Sequence, residues 1–139
     1  MERLVMAVTG GCLCGAVRYE ITAPSIYGAL CYCADCRRLT SSHSALSFVP
    51  KRALQVMGDL RAYTRTSDAG NVVTRMFCPV CGAGIYSHGT LPGVAILKAG
   101  TLDDADAFHP EAAVFTSRAP HWDRPPDGIQ HHPDAPKKE

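Results

Sequence analysis

Seven cysteines gathered into three short clusters constrain this chain more than any other feature: Cys12-Leu13-Cys14, Cys31-Tyr32-Cys33-Ala34-Asp35-Cys36 and Cys78-Pro79-Val80-Cys81. Thiols this crowded do not pack as an ordinary core. In an extended segment, alternation puts Cys31 and Cys33 on one face, and a turn after Cys33 brings Cys36 round beside them. One segment thereby offers three converging thiolates. Zinc takes four ligands in a tetrahedron with sulfur at about 2.3 Å, so three thiolates leave a position open, as in a catalytic or exchangeable site.

The other four cysteines read as a closed site. Cys78-Pro79-Val80-Cys81 followed by Gly82 has the form of a zinc knuckle, in which Pro fixes a turn and Gly lets the backbone amides curl toward sulfur. Cys12 and Cys14 supply two more ligands from a strand edge. Two zinc ions are expected, one in a filled site and one in an unfilled site. Other readings compete. Disulfides leave one of the seven thiols over, and an iron–sulfur cluster uses four thiolates at other spacings. A redox role for Cys33-Ala34-Asp35-Cys36 lacks its βαβ context. The three-thiol site could also be a structural zinc closed by a histidine.

The 139 residues carry a formal charge of +1, with acids and bases mixed along the chain. One domain with one core is expected, and no basic stripe marks a nucleic-acid partner. Apolar runs such as Gly93 to Leu97 are far shorter than the roughly 20 residues of a membrane span. Met1 to Met6 is too brief for a signal peptide. The expectation is a cytoplasmic protein with reduced thiols.

Val17, Tyr19 and Ile21 alternate with Arg18 and Glu20, which predicts a half-buried strand over Ala16 to Thr22. Further strands are expected over Ile26 to Cys33, Ser44 to Val49, Leu60 to Arg65, Asn71 to Phe77, Gly84 to His88, Val94 to Ala99 and Ala112 to Ser117. Leu46 and Phe48 should share a face, Ala34 to Leu39 should form a helical turn with Cys36 near its start, and Lys51 to Leu54 should be a turn or short helix. The class is mainly β, a single domain of short antiparallel strands stapled by zinc. Its expected division is a lead over 1–10, a zinc-binding domain over 11–122 and a Pro/His/Lys-rich tail over 123–139, read as coil from Pro120 onward.

Four segments together resemble a known family: Gly11-Cys12-Leu13-Cys14-Gly15-Ala16-Val17-Arg18-Tyr19, Cys31 to Thr40, Arg75-Met76-Phe77-Cys78-Pro79-Val80-Cys81-Gly82, and Ala99-Gly100-Thr101-Leu102-Asp103-Asp104. The chain is similar to the glutathione-dependent formaldehyde-activating enzymes and centromere protein V. The resemblance implies a β-tent with two zinc ions, the structural one on Cys12, Cys14, Cys78 and Cys81 and the second on Cys31, Cys33 and Cys36. It implies a carbon–sulfur lyase activity, the joining of glutathione and formaldehyde to S-hydroxymethylglutathione. Leu13 stands where the family often has His, and Ser41-Ser42 where Gly-Ser or Gly-Ala is usual.

The expected partner is therefore a small-molecule thiol and aldehyde. Arg37 and Arg38 suit a substrate carboxylate. Thr40, Ser42, His43 and Ser87 are candidates for hydrogen bonding or proton transfer. Duller roles stand beside these: solvated arginines, satisfied histidines at His43 and His88, tail residues at His131-His132, and a Trp122 that pins the tail to the core. The competing function is a non-catalytic zinc module that binds a protein partner.

Overall fold

The computed structural model describes residues 7–67 and 70–135. Met1 to Met6, Asp68-Ala69 and residues 136–139 lie outside the described residues. The alternating segment is strand β2 (Arg18–Ile21), with Tyr19 and Ile21 buried and Arg18 and Glu20 exposed. It runs antiparallel between β1 (Val8–Gly11) and β5 (Leu54–Met57) in a three-stranded sheet. β1 thus takes in Val8 to Gly10, which the sequence reading assigned to the lead, and β5 had no counterpart in that reading. Glycine is required at position 10, because a Cβ there would collide with the Tyr19 hydroxyl and the Thr101 carbonyl. Tyr19 instead bonds the Thr101 hydroxyl at 2.7 Å, and Arg18 pairs with Asp103, so the Ala99 to Asp104 turn is fastened to this sheet.

The second sheet has eight strands. In chain order they are β3 (Tyr27–Cys31), β4 (Ser44–Pro50), β6 (Arg61–Thr66), β7 (Val72–Phe77), β8 (Gly84–His88), β9 (Val94–Lys98), β10 (Ala112–Val114) and β11 (Gln130–His132). In space the order is β11-β10-β3-β4-β9-β8-β7-β6. Pairing is antiparallel from β3 through β6, as expected, but β10 joins β3 in parallel and β11 joins β10 in parallel. The coil expected beyond Pro120 therefore contains a strand, and His131 and His132 belong to it. Its pairing is made by backbone groups, which a polar side-chain sequence does not advertise.

One face of the large sheet packs on the small sheet. Val49, Ile85, Ala95 and Leu97 meet Val17, Tyr19 and Ile21 in a single core, each side chain worth about 1.5–3 kcal/mol where large and fully buried. The alternate residues face the other way. A cross-strand row, Tyr63, Arg75, Ser87, Ile96, Phe48 and Tyr27, runs across six strands on that second face. Leu46 and Phe48 share it, as the alternation predicted.

A short helix, α1 (Ala34–Thr40), follows β3, capped by Cys33 at its start and ended by Ser41 in the left-handed conformation at φ 73°. Trp122 is 59% exposed and is not part of the buried core. Its neighbour Asp123 holds the segment instead, accepting from the His43 backbone N–H at 2.8 Å and meeting His43 Nδ1 at 2.9 Å.

Candidate metal centres

The first cluster is assembled from two distant turns. Cys12 leaves β1 and its N–H bonds the Val17 carbonyl, so the Cys12 to Gly15 loop curls back on itself. After β7, Cys78 N–H bonds Ala83 and Gly82 N–H bonds Cys78, with Gly82 at φ 80° where a side chain would be strained. The four sulfurs lie within 4.8 Å of one another. Cys12 to Cys14 is 3.7 Å and Cys14 to Cys78 is 3.8 Å. A regular tetrahedron of zinc–sulfur bonds has edges of about 3.8 Å, so the donor set fits that ion. Backbone amides support the sulfurs: Val17 N–H donates to Cys12 at 3.2 Å and Val80 N–H to Cys78 at 3.3 Å. Amides of Ala83 and Cys14 bring the Cys81 thiol down to about 6. Leu13 is 90% exposed and points away from the sulfurs, which is why His is not needed there.

The second cluster is local. Cys31 ends β3, Cys33 caps the helix, and Cys36 sits on its first turn, where its N–H donates to the Cys33 sulfur at 3.3 Å. These three sulfurs also lie within 4.8 Å of one another. The neighbouring thiols of Cys31 and Cys36 hold Cys33 well below the ordinary thiol range, and the Cys36 amide adds to this. The thiols of Cys33 and Cys36, with burial, push Cys31 up. Cys36 is also raised: the Cys31 thiol lowers it, and the Cys33 thiol and burial outweigh that. One thiol of the three is thus favoured as thiolate and the other two as neutral thiols, the balance expected when three sulfurs crowd together with no cation among them.

This second cluster opens on a cleft of about 1370 Å³ over the free face of the large sheet. Ser44, the cross-strand neighbour of Cys31, is fully buried there. Lys98 Nζ donates to the hydroxyls of Thr40 at 3.1 Å and Ser44 at 3.0 Å, and those two hydroxyls are 2.8 Å apart. Burial pushes the Lys98 ammonium below its ordinary range, while the thiols of Cys36, Cys31 and Cys33 act the other way. On the hairpin side, Asp35 of α1 pairs with Arg65 at 3.4 Å and Arg75 at 3.5 Å, tying the helix to β6 and β7.

Thr40 and Ser87 line the cleft, as the sequence reading asked of them. Ser42 does not; its hydroxyl donates to the His43 carbonyl at 3.2 Å. His43 reaches the cleft edge, but its ring stacks on Tyr32 at 4.9 Å and its Nδ1 is taken by Asp123. Tyr32 belongs to a separate apolar cluster with Leu30 and Ala113, so the ring fastens the C-terminal segment. Arg37 and Arg38 are outside the cleft lining, whereas Arg75 and Lys98 are within it. Lys98 ends an apolar strand, and the single charge that closes Val94 to Leu97 is the mark it leaves in the sequence.

Over residues 7–118 the sequence matches the family described as glutathione-dependent formaldehyde-activating enzyme. The chain belongs to that family. Among solved structures it is similar to a crystal structure of a Rhodobacter sphaeroides protein, with TM-score 0.54 and 22% identity over 69% of this chain and 88% of that one. At that identity the likeness is one of fold alone. No curated protein matches the chain. In this member of the formaldehyde-activating family, both cysteine clusters have the donors and spacing to hold metal ions. No helix among the described residues is long and apolar enough to cross a membrane.

Proposed function

We propose that this protein is a cytoplasmic, zinc-dependent carbon–sulfur lyase-like enzyme that joins and parts a thiol of the glutathione type and a small aldehyde. The observation that carries the reading is the set of three sulfurs, mutually within 4.8 Å, at the end of a cleft. Zinc bound there supplies an open coordination position and lowers the pKa of a thiol that takes it. Cys31, Cys33 and Cys36 hold that ion, and Cys12, Cys14, Cys78 and Cys81 hold a structural one.

In the joining reaction, sulfur attacks the carbonyl carbon and a C–S bond forms. The C=O π electrons move to oxygen, and the thiol proton ends on that oxygen, so nothing is oxidised or reduced. The chain's part is to hold the oxygen as it gains charge. Lys98, fixed by Thr40 and Ser44 beside the cluster, is the group suited to this. Arg75 stands in the cleft to meet a substrate carboxylate, a role the sequence reading gave to Arg37 and Arg38. Ser42 and His43 serve the local structure, on the hydrogen bonds they make.

A protein-binding zinc module is the second reading. It is favoured by Leu13 and Val80, which stand 90% and 74% exposed beside the closed cluster.

Cobalt substitution separates the two readings. Glutathione should change the absorption of one of the two cobalt sites, and S-methylglutathione should not, because a thioether cannot become a thiolate. A spectrum that no thiol moves overturns the enzyme reading.

A further inference from the structure

The cleft changes character along its length. Near the cysteines a polar group of Thr40, Ser44 and Lys98 stands beside the three sulfurs, which also pack against Val114 and Phe115. Along β3 the cleft-lining residues then run Cys31, Ala29, Tyr27; along β4 they run Ser44, Leu46, Phe48; and along β9 they run Lys98, Ile96, Val94. The pairings set these side by side: Lys98 opposite Leu46 opposite Ala29, then Ile96 opposite Phe48 opposite Tyr27. Past Lys98, no cleft-lining residue of these three strands carries a formal charge. Tyr27 and Phe48 meet edge to face at 5.6 Å and form an aromatic floor.

Tyr27 lies four residues up the strand from Cys31, about 13 Å at the usual rise. A one-carbon aldehyde joined to sulfur at the cysteine end leaves that floor untouched. The charged ends of a glutathione-type thiol find no counter-charge on these three strands; Arg75, two strands from Ile96 in the same row, is the cleft-lining cation that can take a carboxylate, and burying a charge on the floor itself is costly. The floor is continuous with the thiol cluster within one cleft, so what covers it is the remainder of whatever binds the cluster.

Resting on the reading proposed above, we infer that the thiol–aldehyde adduct carries an apolar tail, aromatic or branched aliphatic, that lies over Leu46, Ile96, Phe48 and Tyr27. The tail belongs either to the thiol or to the aldehyde, and the shared chemistry is an apolar group about 10 Å beyond the reacting sulfur, by the strand rise.

The test uses the full chain with cobalt in its metal sites, and two arms. In the first, benzyl mercaptan is titrated against 2-mercaptoethanol, reading cobalt absorption for the sulfur and methyl NMR shifts of Leu46 and Ile96 for the tail. In the second, glutathione is held fixed and phenylacetaldehyde is compared with formaldehyde, reading adduct exchange and the same methyl groups. A tail that fills the floor should tighten binding by on the order of 10-fold or more in at least one arm and move both methyl signals. The arm that responds names the partner bearing the tail. Phe48→Ser should erase the difference between tailed and tailless compounds, and Leu46→Gln, on the same floor, should do the same if Phe48→Ser fails to fold.

Thiols that move the cobalt spectrum with equal affinity whatever their tail, with tailless and tailed aldehydes also alike, overturn this inference and leave the thiol centre standing. A cobalt spectrum unmoved by any thiol overturns the thiol centre and this inference with it. A stable dimer whose Leu46 and Ile96 signals ignore every tailed compound shows the face covered by a second copy, and overturns the inference as well.

Discussion

The two cysteine clusters use the same ligand type for opposite ends. One joins a turn beside the small sheet to a knuckle 64 residues further along, from Cys14 to Cys78. The other is drawn from six consecutive positions at the end of one strand and the start of one helix. A metal ion in the first is a cross-link that closes a long loop, and its binding energy is folding energy. A metal ion in the second spans nothing the backbone has not already brought together. Sulfur count follows from this: a cross-link is best served by four protein ligands, while a local site can leave one position for something else.

The sharpest way to break that comparison is to remove one ligand from each. Cys78→Ser should abolish a cooperative thermal transition followed by circular dichroism, because it leaves a three-ligand cross-link at the end of a long loop. Cys36→Ser should keep that transition, within about 2 kcal/mol of the parent, while metal analysis falls from two ions to one. If Cys36→Ser unfolds the protein and Cys78→Ser is tolerated, the two clusters have been assigned in reverse.

Smaller effects sharpen the picture of the local site. Lys98→Met should lower the rate of adduct exchange by about 100-fold with little change in thiol affinity at the cobalt centre. An equal loss in both would make Lys98 a binding group and not a holder of developing charge. Ser41→Gly relieves a side chain held at φ 73° and should raise stability by about 0.5–1 kcal/mol in urea titrations. Smallest of all, Arg37→Ala with Arg38→Ala should leave glutathione affinity within about twofold, whereas Arg75→Ala should weaken it by about 10-fold. Calorimetry reading the reverse order would return the carboxylate to the helix.

Side-chain patterns announced part of this architecture. Val17, Tyr19 and Ile21 alternate strictly, and their strand is where alternation placed it. Cys31, Cys33 and Cys36 converge because strand and helix periodicities both act locally. What pattern could not show was the joining of distant backbone. β11 is a polar Gln-His-His segment held by β10, and no hydrophobic signal marks it. β5 is four residues long and follows directly on a 3-10 turn over Lys51–Ala53, too short to stand out. Lys98 and Asp123 gain their meaning from partners 54 and 80 positions away. Arg37 and Arg38 follow Cys36 in the sequence and lie outside the cleft lining, whereas Arg75, far from Cys36 in the sequence, is part of it.

The parallel pairing of β10 with β3 also bears on the order in which the protein is made. Cys31 lies opposite Val114, so the strand that leads into the three-thiol cluster gains its β10 neighbour only after residue 114 has been synthesised. β10 in turn waits for β11 at 130–132. All four cysteines of the cross-link, the last of them Cys81, precede both strands in the chain. The backbone on the outer side of the strand that carries Cys31 is thus supplied by the latest segments of the sheet, 112–114 and 130–132, although the three thiols themselves all lie within residues 31–36.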